Sequence, residues 1–150
     1  MELILKHFNE LSLEELYDIL RLRNEVFILE QNCFYLDCDG KDKNAHHLFL
    51  KEDDKIIAYL RILNKGVSYP ENSIGRVIVT KSFRGQNISN LIIEKAIKFI
   101  ETELKGTEIR ISAQAHLQKL YGKLGFKTVS EEYLEDDIPH VQMLYKKITP

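Results

Sequence analysis

The spacing of apolar residues changes repeatedly along this chain of 150 residues, and the alternation limits the folds it can adopt. Apolar residues recur at helical spacing in two long segments, from about Leu13 to Glu30 and from Ile88 to Leu104. Shorter segments rich in Ile, Leu, Val and Phe lie before, between and after these two, bounded by Gly, Asp and Asn. The sequence therefore predicts the order β-α-β-β-β-α-β-α-β-β.

Seven strands are predicted, at residues 2–8, 46–52, 55–63, 73–79, 107–113, 126–134 and 138–147. The first helix has a defined start, because Ser12 and Glu15 form a capping box. A short third helix is predicted over residues 114–124, ended by Gly125. Strands that alternate with helices require at least one parallel pair, whereas the hairpins predict antiparallel pairing. The predicted fold class is a mixed α/β domain over residues 1–150, with a mostly antiparallel sheet of about seven strands flanked by helices.

Composition and charge exclude several classes of protein. Hydrophobic residues make up 44% of the chain and charged residues 29%, which suffices for a core without metals or disulfides. The net charge of −2 argues against a nucleic-acid binder, which normally carries a basic face. The longest apolar run, Ile56–Leu60, is too short to span a membrane. Residues Met1–His7 lack the features of a signal peptide, so a cytoplasmic location is expected.

The two cysteines do not indicate a disulfide scaffold or a metal site. Cys33 and Cys38 are too few to staple a fold, and free thiols are expected in a reducing compartment. Together with His46 and His47 they have a spacing that matches no zinc motif. No metal is therefore predicted.

A predicted strand leads through a short polar loop into a helix over Ile74–Ile93, an arrangement that suits an anion. The first amides of a helix lack intrahelical partners, and the helix dipole favours negative charge there. Arg84 adds a positive charge, Gly85 permits close approach of the backbone, Asn87 tolerates a left-handed conformation, and Ser89 adds a hydroxyl donor. A pyrophosphate would fit; the alternative is an ordinary strand-to-helix turn with a surface arginine.

The same segment resembles the acyl-CoA signature of the GNAT acyltransferase superfamily. Val77–Val79 followed by Arg84–Ser89 is similar to that signature, and Leu120–Phe126 is similar to the superfamily's later helix-and-strand motif. The resemblance covers nearly the whole chain. Narrower matches resemble the ElaA-like branch; they are Arg21–Phe27, Glu30–Gln31, Tyr35–Gly40, Gly75–Val77, Ala113–Gln118 and Ile138–His140.

This resemblance implies an N-acetyltransferase that moves an acetyl group from acetyl-CoA to a primary amine of a small molecule or peptide. Tyr121 occupies the family's general-acid position. The implied cofactor-binding residues are Val77, Ile78 and Val79 at the thioester and pantetheine, Arg84, Gly85, Gln86, Asn87, Ile88 and Ser89 at the pyrophosphate, and Gln114. The sequence departs from the family pattern at Asn87 and Ser89, where glycine or alanine is usual, and at Gln114, where asparagine is usual.

The general base and the acceptor site are less clearly indicated. Histidine side chains titrate near neutral pH, which favours His116, on the helix of Tyr121, as a second catalytic residue. Arg76 lies in the middle of a predicted strand and is expected to pair with a carboxylate, because an unpaired buried charge is costly. The acceptor-site candidates are Glu30, Asp37, Asp39, Arg76 and His140. The acidic residues at 131–137 are interpreted as a solvated turn.

Two other functions remain open. Arg23–Phe27 with Asp37 and Asp39 also resembles acyl-homoserine-lactone synthases, although 150 residues leave little room for their additional structure. A non-catalytic CoA-binding sensor module is the second alternative, because Asn87 and Ser89 alter the predicted phosphate loop. No nucleic-acid or membrane partner is predicted, and a homodimer is left open.

Overall fold

Two antiparallel sheets form the frame of the computed structural model, which describes residues 1–148. The first sheet has the order β1-β2-β3-β4, with bounds Glu2–His7, His46–Glu52, Lys55–Leu63 and Ser73–Val79. The second has the order β5-β8-β6 with β7 paired to β8, and its bounds are Glu108–Gln114, Phe126–Thr128, Tyr133–Glu135 and Ile138–Lys146 for β5 to β8. The helices are α1 (Leu13–Arg23), α2 (Ile88–Thr102) and α3 (Gln118–Lys123).

The first helix begins as predicted and then changes its geometry. Ser12 Oγ accepts a hydrogen bond from the Glu15 amide at 3.0 Å, and Glu15 Oε1 accepts one from the Ser12 amide at 2.8 Å. The α-helix ends at Arg23, and the predicted continuation to Glu30 is a π-helical segment, Asn24–Glu30. The wider turn rotates the residues that follow Arg23, and such insertions are frequent at functional sites.

The predicted strand over residues 126–134 is divided in two, so eight strands rather than seven are present in residues 1–148. Between β6 and β7 a side chain interrupts the ladder, because Ser130 Oγ accepts a hydrogen bond from the Gln142 amide at 2.8 Å. The prediction treated this polar stretch as continuous strand, since the residues on both sides of it have strand character.

Within residues 1–148 the predicted parallel pairing is reduced to one bridge, between Asn72 and Ile109. There the Arg110 amide donates a hydrogen bond to the Asn72 carbonyl at 2.9 Å. Beyond this bridge β4 and β5 belong to separate sheets, and the side chains of both strands line a common groove. The edge of β4 that faces β5 is therefore left without a ladder partner along the groove.

The apolar face of α2 joins the two sheets. Ile92, Ile93, Ala96 and Ile100 on this face are fully buried, and they belong to one apolar cluster with buried residues of both sheets. A second cluster packs α1 against Phe49 and other residues of the first sheet. None of the helices formed by residues 1–148 has the length and apolar character needed to cross a bilayer.

Candidate active site

A groove of about 600 Å³ opens where β4 and β5 diverge. Val77, Ile78 and Val79 line it from β4, and Ile111, Ala113 and Gln114 line it from β5. Arg84 and Ser89 lie along it on the loop and first turn of α2, and Tyr121 lies along it on α3. The groove thus brings together most of the predicted cofactor-binding residues and the predicted general acid.

The loop between β4 and α2 has the backbone conformation that the sequence indicates. Gly85 has φ of +82° and Asn87 has φ of 63°, so both adopt left-handed conformations. Asn87 is the N-cap of α2, yet its side chain accepts a hydrogen bond from Asn90 Nδ2 at 2.5 Å instead of capping the helix amides. The first amides of α2 therefore remain available to an anion.

Arg84 connects the end of β4 to the π-helical segment. Its Nε donates a hydrogen bond to the Val79 carbonyl at 2.8 Å, and its Nη2 lies 2.8 Å from Glu30 Oε2. Both side chains of this ion pair are about 40% exposed, so solvent screens it. Glu30 lines the groove, but its carboxylate is engaged by Arg84 instead of being free for an acceptor.

Tyr121 lies in an apolar part of the groove. It packs edge-on against Phe126 with ring centroids 5.8 Å apart, and Leu117 and Leu120 line the groove beside it. Burial raises the pKa of Tyr121 to about 12. The phenol therefore keeps its proton at neutral pH, as a proton donor must.

The two candidate histidines occupy different positions. His116 lies on a 3-10 turn, Ala115–Leu117, where its side chain is exposed and is not part of the groove lining. His116 is therefore not among the residues that the groove brings together with Tyr121, and its catalytic role stays a prediction. His140 is buried and lines the groove; its Nδ1 lies 2.6 Å from the Ile138 carbonyl and its Nε2 lies 3.4 Å from Glu135 Oε2.

Next to the groove, three arginines and three aspartates alternate in a closed circuit of ion pairs, the charge ring. The arginines come from three different elements, whereas the aspartates all come from the segment between α1 and β2. Going around the ring, the N···O distances are 2.8 Å for Arg23–Asp37, 2.8 Å for Asp37–Arg76, 3.4 Å for Arg76–Asp39, 2.9 Å for Asp39–Arg61, 2.9 Å for Arg61–Asp42 and 2.7 Å for Asp42–Arg23.

The charge ring changes what its carboxylates are able to do. Burial raises the pKa of Asp39, but hydrogen bonds from Arg61 and the Lys41 amide, with the charges of Arg61 and Arg76, outweigh it and lower that pKa to about 2. The same opposition between burial and arginine partners lowers the pKa of Asp42. Asp37 and Asp39 are therefore held by arginines, and the ring, with equal numbers of both charges, offers a cationic acceptor no net attraction.

Acid should weaken the fold through Asp39. Its pKa in the folded protein is about 2, below the ordinary value of about 3.9 in an unfolded chain, so its stabilisation is complete above about pH 4 and is lost as the pH falls toward 2. We expect urea unfolding to show that Asp39→Asn removes about 1 kcal/mol of the acid-dependent stability, a value reduced for partial exposure. Equal acid sensitivity of the variant and the wild type would contradict this.

The sequence analysis did not identify several of the residues that line the groove. Tyr35, Tyr69, Ser112, Glu135 and Asp136 all line it, although the last two were assigned to a solvated turn. Loop and turn residues carry no periodicity, so nothing in the sequence shows which of them converge. A contact between Cys33 Sγ and the Asp136 carbonyl at 3.8 Å shows how the acidic turn is brought to the segment after α1.

The cysteines are free thiols, Cys33 buried and Cys38 exposed. Within residues 1–148 no group of three or more His, Cys, Asp and Glu side chains is arranged to hold a metal ion. The groups that line the groove include the Tyr121 phenol, the His140 imidazole and the carboxylates of Glu30 and Glu135.

Comparisons with known proteins agree with this geometry. A family model described as an acetyltransferase (GNAT) domain matches residues 10–147. The ElaA protein of Escherichia coli is 39% identical over 139 residues, which cover 91% of each chain. Its crystal structure matches with a TM-score of 0.90 and 37% identity, covering 97% of this chain and 100% of that one. An acyl-CoA N-acyltransferase from Pseudomonas aeruginosa matches at 42% identity and a TM-score of 0.90, with coverage of 97% and 99%.

More distant structures share the architecture. A CoA-dependent acyl-homoserine lactone synthase has a TM-score of 0.75 at 13% identity, with 96% of this chain and 81% of that one covered; this likeness shows the fold alone. The predicted mixed α/β fold is confirmed, and the closer matches extend over almost the full length of both partners. The chain therefore belongs to the GNAT acetyltransferase family, in the branch that contains ElaA.

Proposed function

We propose that the protein transfers an acetyl group from acetyl-CoA to a primary amine of a small molecule or peptide, with Tyr121 as the general acid. One observation carries the proposal: Tyr121 and the Arg84–Ser89 loop border the same groove, which opens between β4 and β5. Membership of the GNAT family supports an acyl-CoA donor and an amine acceptor.

The loop before α2 fits a pyrophosphate. The N-terminal amides of α2 have no side-chain cap, and no atom lies within 4 Å of the position that a Cβ on Gly85 would occupy. An anion can therefore approach the main chain closely. Arg84 would exchange Glu30 for phosphate oxygens, and Ser89 would add a hydroxyl donor. Gln86 and Asn87 are exposed in this loop, and Ile88 anchors its end in the core.

The free edge of β4 fits the pantetheine arm. Val77, Ile78 and Val79 line the groove along the edge that lacks a ladder partner. An extended chain that carries amides is able to pair with such an edge as an added strand would. Gln114, at the end of β5, offers a side-chain amide across the groove.

Acetyl-CoA supplies a thioester, whose carbonyl carbon is attacked by the amine and whose sulfur departs. A main-chain amide of β4, which we assign to Val77, donates a hydrogen bond to the carbonyl oxygen as negative charge develops on it. Tyr121, whose raised pKa keeps it protonated beforehand, donates its proton to the departing sulfur as the C–S bond breaks. The nitrogen loses a proton as the amide forms, and that proton restores the Tyr121 phenol. A primary ammonium has a pKa near 10, so a base must first remove a proton. His140 lines the groove as a candidate base, and Glu30 becomes a second candidate once phosphate oxygens replace it at Arg84, whereas Asp37 and Asp39 are held by arginines.

Replacement of Asn87 with glycine should preserve or strengthen acetyl-CoA binding. Glycine adopts the φ of 63° more easily than asparagine, and the main-chain amides that are proposed to hold the pyrophosphate are retained. We expect the Kd, measured by calorimetry, to stay equal or to fall by up to about fivefold. Asp54→Gly, which relieves the same backbone conformation in the β2–β3 turn, should leave the Kd unchanged. A large loss of affinity in Asn87→Gly would show that the amide side chain itself contacts the ligand.

The function is tested by thiol release from acetyl-CoA with a panel of polyamines, amino acids and peptides. Acetyl-CoA should also raise the melting temperature with a dependence on concentration that follows mass action. Stabilisation without thiol release from any acceptor would favour a CoA-binding sensor module. Release from long-chain acyl-CoA in preference to acetyl-CoA would favour a synthase-like acyltransferase.

A further inference from the structure

We propose that Arg76 is a positioning residue for acyl transfer. Through the charge ring it holds a bulge in β4, and the bulge directs the amide of the next residue, Val77, toward the thioester. This inference rests on the proposed function, in which a β4 amide stabilises the carbonyl oxygen.

The bulge is visible in the pairing of β3 with β4. Arg61 pairs with Gly75 and Tyr59 pairs with Ile78, so Arg76 and Val77 together face the single residue Leu60. Such bulges bend a strand and increase its twist, and they are common beside active sites.

Arg76 adopts a backbone conformation that its residue type disfavours. Its φ is +54°, in the left-handed region, and within residues 1–148 it is the one non-glycine residue inside a strand with positive φ. Most of the other residues with positive φ are Asn or Asp in turns and caps, whose side chains tolerate that region. A left-handed arginine in a strand persists only when its surroundings hold it there.

The side chain of Arg76 is held by several contacts to one short segment. Arg76 Nε donates to Asp37 Oδ1 at 2.8 Å, and Nη2 donates to the Asp37 carbonyl at 3.1 Å and to Asp39 Oδ2 at 3.4 Å. The guanidinium carbon also lies 5.7 Å from the centroid of the Tyr35 ring. These contacts fix the guanidinium and with it the direction in which the side chain leaves β4.

The segment that holds Arg76 is itself anchored by the rest of the charge ring. Arg23 is fully buried and donates to Asp37 Oδ2 at 2.8 Å and to the Asp37 carbonyl at 2.9 Å. Arg61 donates to the two carboxylate oxygens of Asp39 at 2.9 Å and 3.0 Å. The ring therefore ties the bulge to α1 and to β3.

The backbone of Arg76 is linked to the proposed oxyanion contact through its peptide bond to Val77. The N–H of Val77 belongs to the peptide unit that begins at Arg76, so the backbone angles of Arg76 set its direction. Because that amide would gain its hydrogen bond as charge develops on the carbonyl oxygen, misdirecting it should lower kcat and leave ground-state binding unchanged.

Two substitutions at position 76 separate this role from a direct role of the guanidinium. Arg76→Ala and Arg76→Gly delete the same ion pairs, but only glycine adopts φ of +54° without strain. We expect Arg76→Ala to lose about tenfold or more in kcat and Arg76→Gly to stay within about threefold of the wild type. The KM for the amine and the Kd for acetyl-CoA should be unchanged in both. Equal losses of kcat in the two variants, or a loss confined to the KM, would overturn the proposal.

A matched control uses the same two substitutions at Asp54, which has φ of 63° in the β2–β3 turn away from the groove lining. There kcat should not differ between alanine and glycine. Should neither Arg76 variant fold, Asp37→Asn replaces them as the test, since it removes the negative charge and leaves one acceptor oxygen where Arg76 and Arg23 each bond to their own. A lower kcat with an unchanged Kd for acetyl-CoA is expected, and an unchanged kcat would overturn the proposal.

If the wild type releases no thiol, the proposed function is contradicted. NMR then tests separately whether Arg76 holds the Val77 amide in its orientation. The Val77 amide shift should remain near its wild-type value in Arg76→Gly and should move in Arg76→Ala. Equal shifts in both variants would overturn the inference, whatever the protein catalyses.

Discussion

Tyr121→Phe should lower kcat by at least about a hundredfold while the Kd for acetyl-CoA stays within about twofold. The substitution deletes one hydroxyl and retains the ring, so the edge contact with Phe126 at 5.8 Å is preserved. The departing sulfur loses its proton donor, whereas the groups proposed to hold the cofactor lie on β4, on the loop and first turn of α2, and at the end of β5. Steady-state thiol release and calorimetry measure the two effects separately.

Tyr145→Phe is the matched control for this result. Tyr145 donates its hydroxyl to Glu101 at 2.9 Å and does not line the groove, so kcat should be unchanged. Parallel loss of kcat and cofactor affinity in Tyr121→Phe would instead show a packing role for the ring.

The raised pKa of Tyr121, about 12, also predicts that its ionisation causes no fall of activity below about pH 11.

Arg23→Met should have the largest effect on stability, lowering the free energy of unfolding by about 3–5 kcal/mol. Arg23 is fully buried and forms ion pairs with both Asp37 and Asp42. Each of these carboxylates is paired with two arginines, and methionine at position 23 would leave each with one. The penalty comes from buried charge that has lost its partner, since methionine fills a similar volume. Urea unfolding followed by circular dichroism measures it.

Arg21→Met tests the same change two residues earlier in α1. Arg21 forms an exposed ion pair with Glu25, with side chains 69% and 50% exposed, and such pairs contribute at most about 0.5 kcal/mol. Stability should therefore barely change. Similar losses in the two variants would mean that helix propensity, and not the charge ring, accounts for the effect at Arg23.

Features that depend on neighbouring residues were predictable from the sequence. The capping box of Ser12 and Glu15, the β2–β3 turn at Asp53 and Asp54, and the left-handed Asn87 before α2 each follow from local chemistry. The strand, polar loop and helix over Ile74–Ile93 followed too, because each element has its own local sequence pattern.

Features that depend on long-range convergence were not predictable. The charge ring joins Arg76 to Asp37 across 39 positions and Arg23 to Asp37 across 14, and no local pattern marks these partners. His116 illustrates a different difficulty. Its residue type suits a base, but the 3-10 turn before α3 turns it to solvent, and a shift of this kind lies within the uncertainty of a predicted helix boundary.

The charge ring also bears on the kinetics of folding. Its arginines belong to α1, β3 and β4, so the circuit closes only after all three have assembled around the segment of residues 37–42. We expect this closure to follow the rate-limiting barrier, and contacts that form there affect unfolding more than folding. Stopped-flow experiments on ring variants should therefore show faster unfolding with nearly normal refolding, which makes the ring a determinant of how long each native molecule persists.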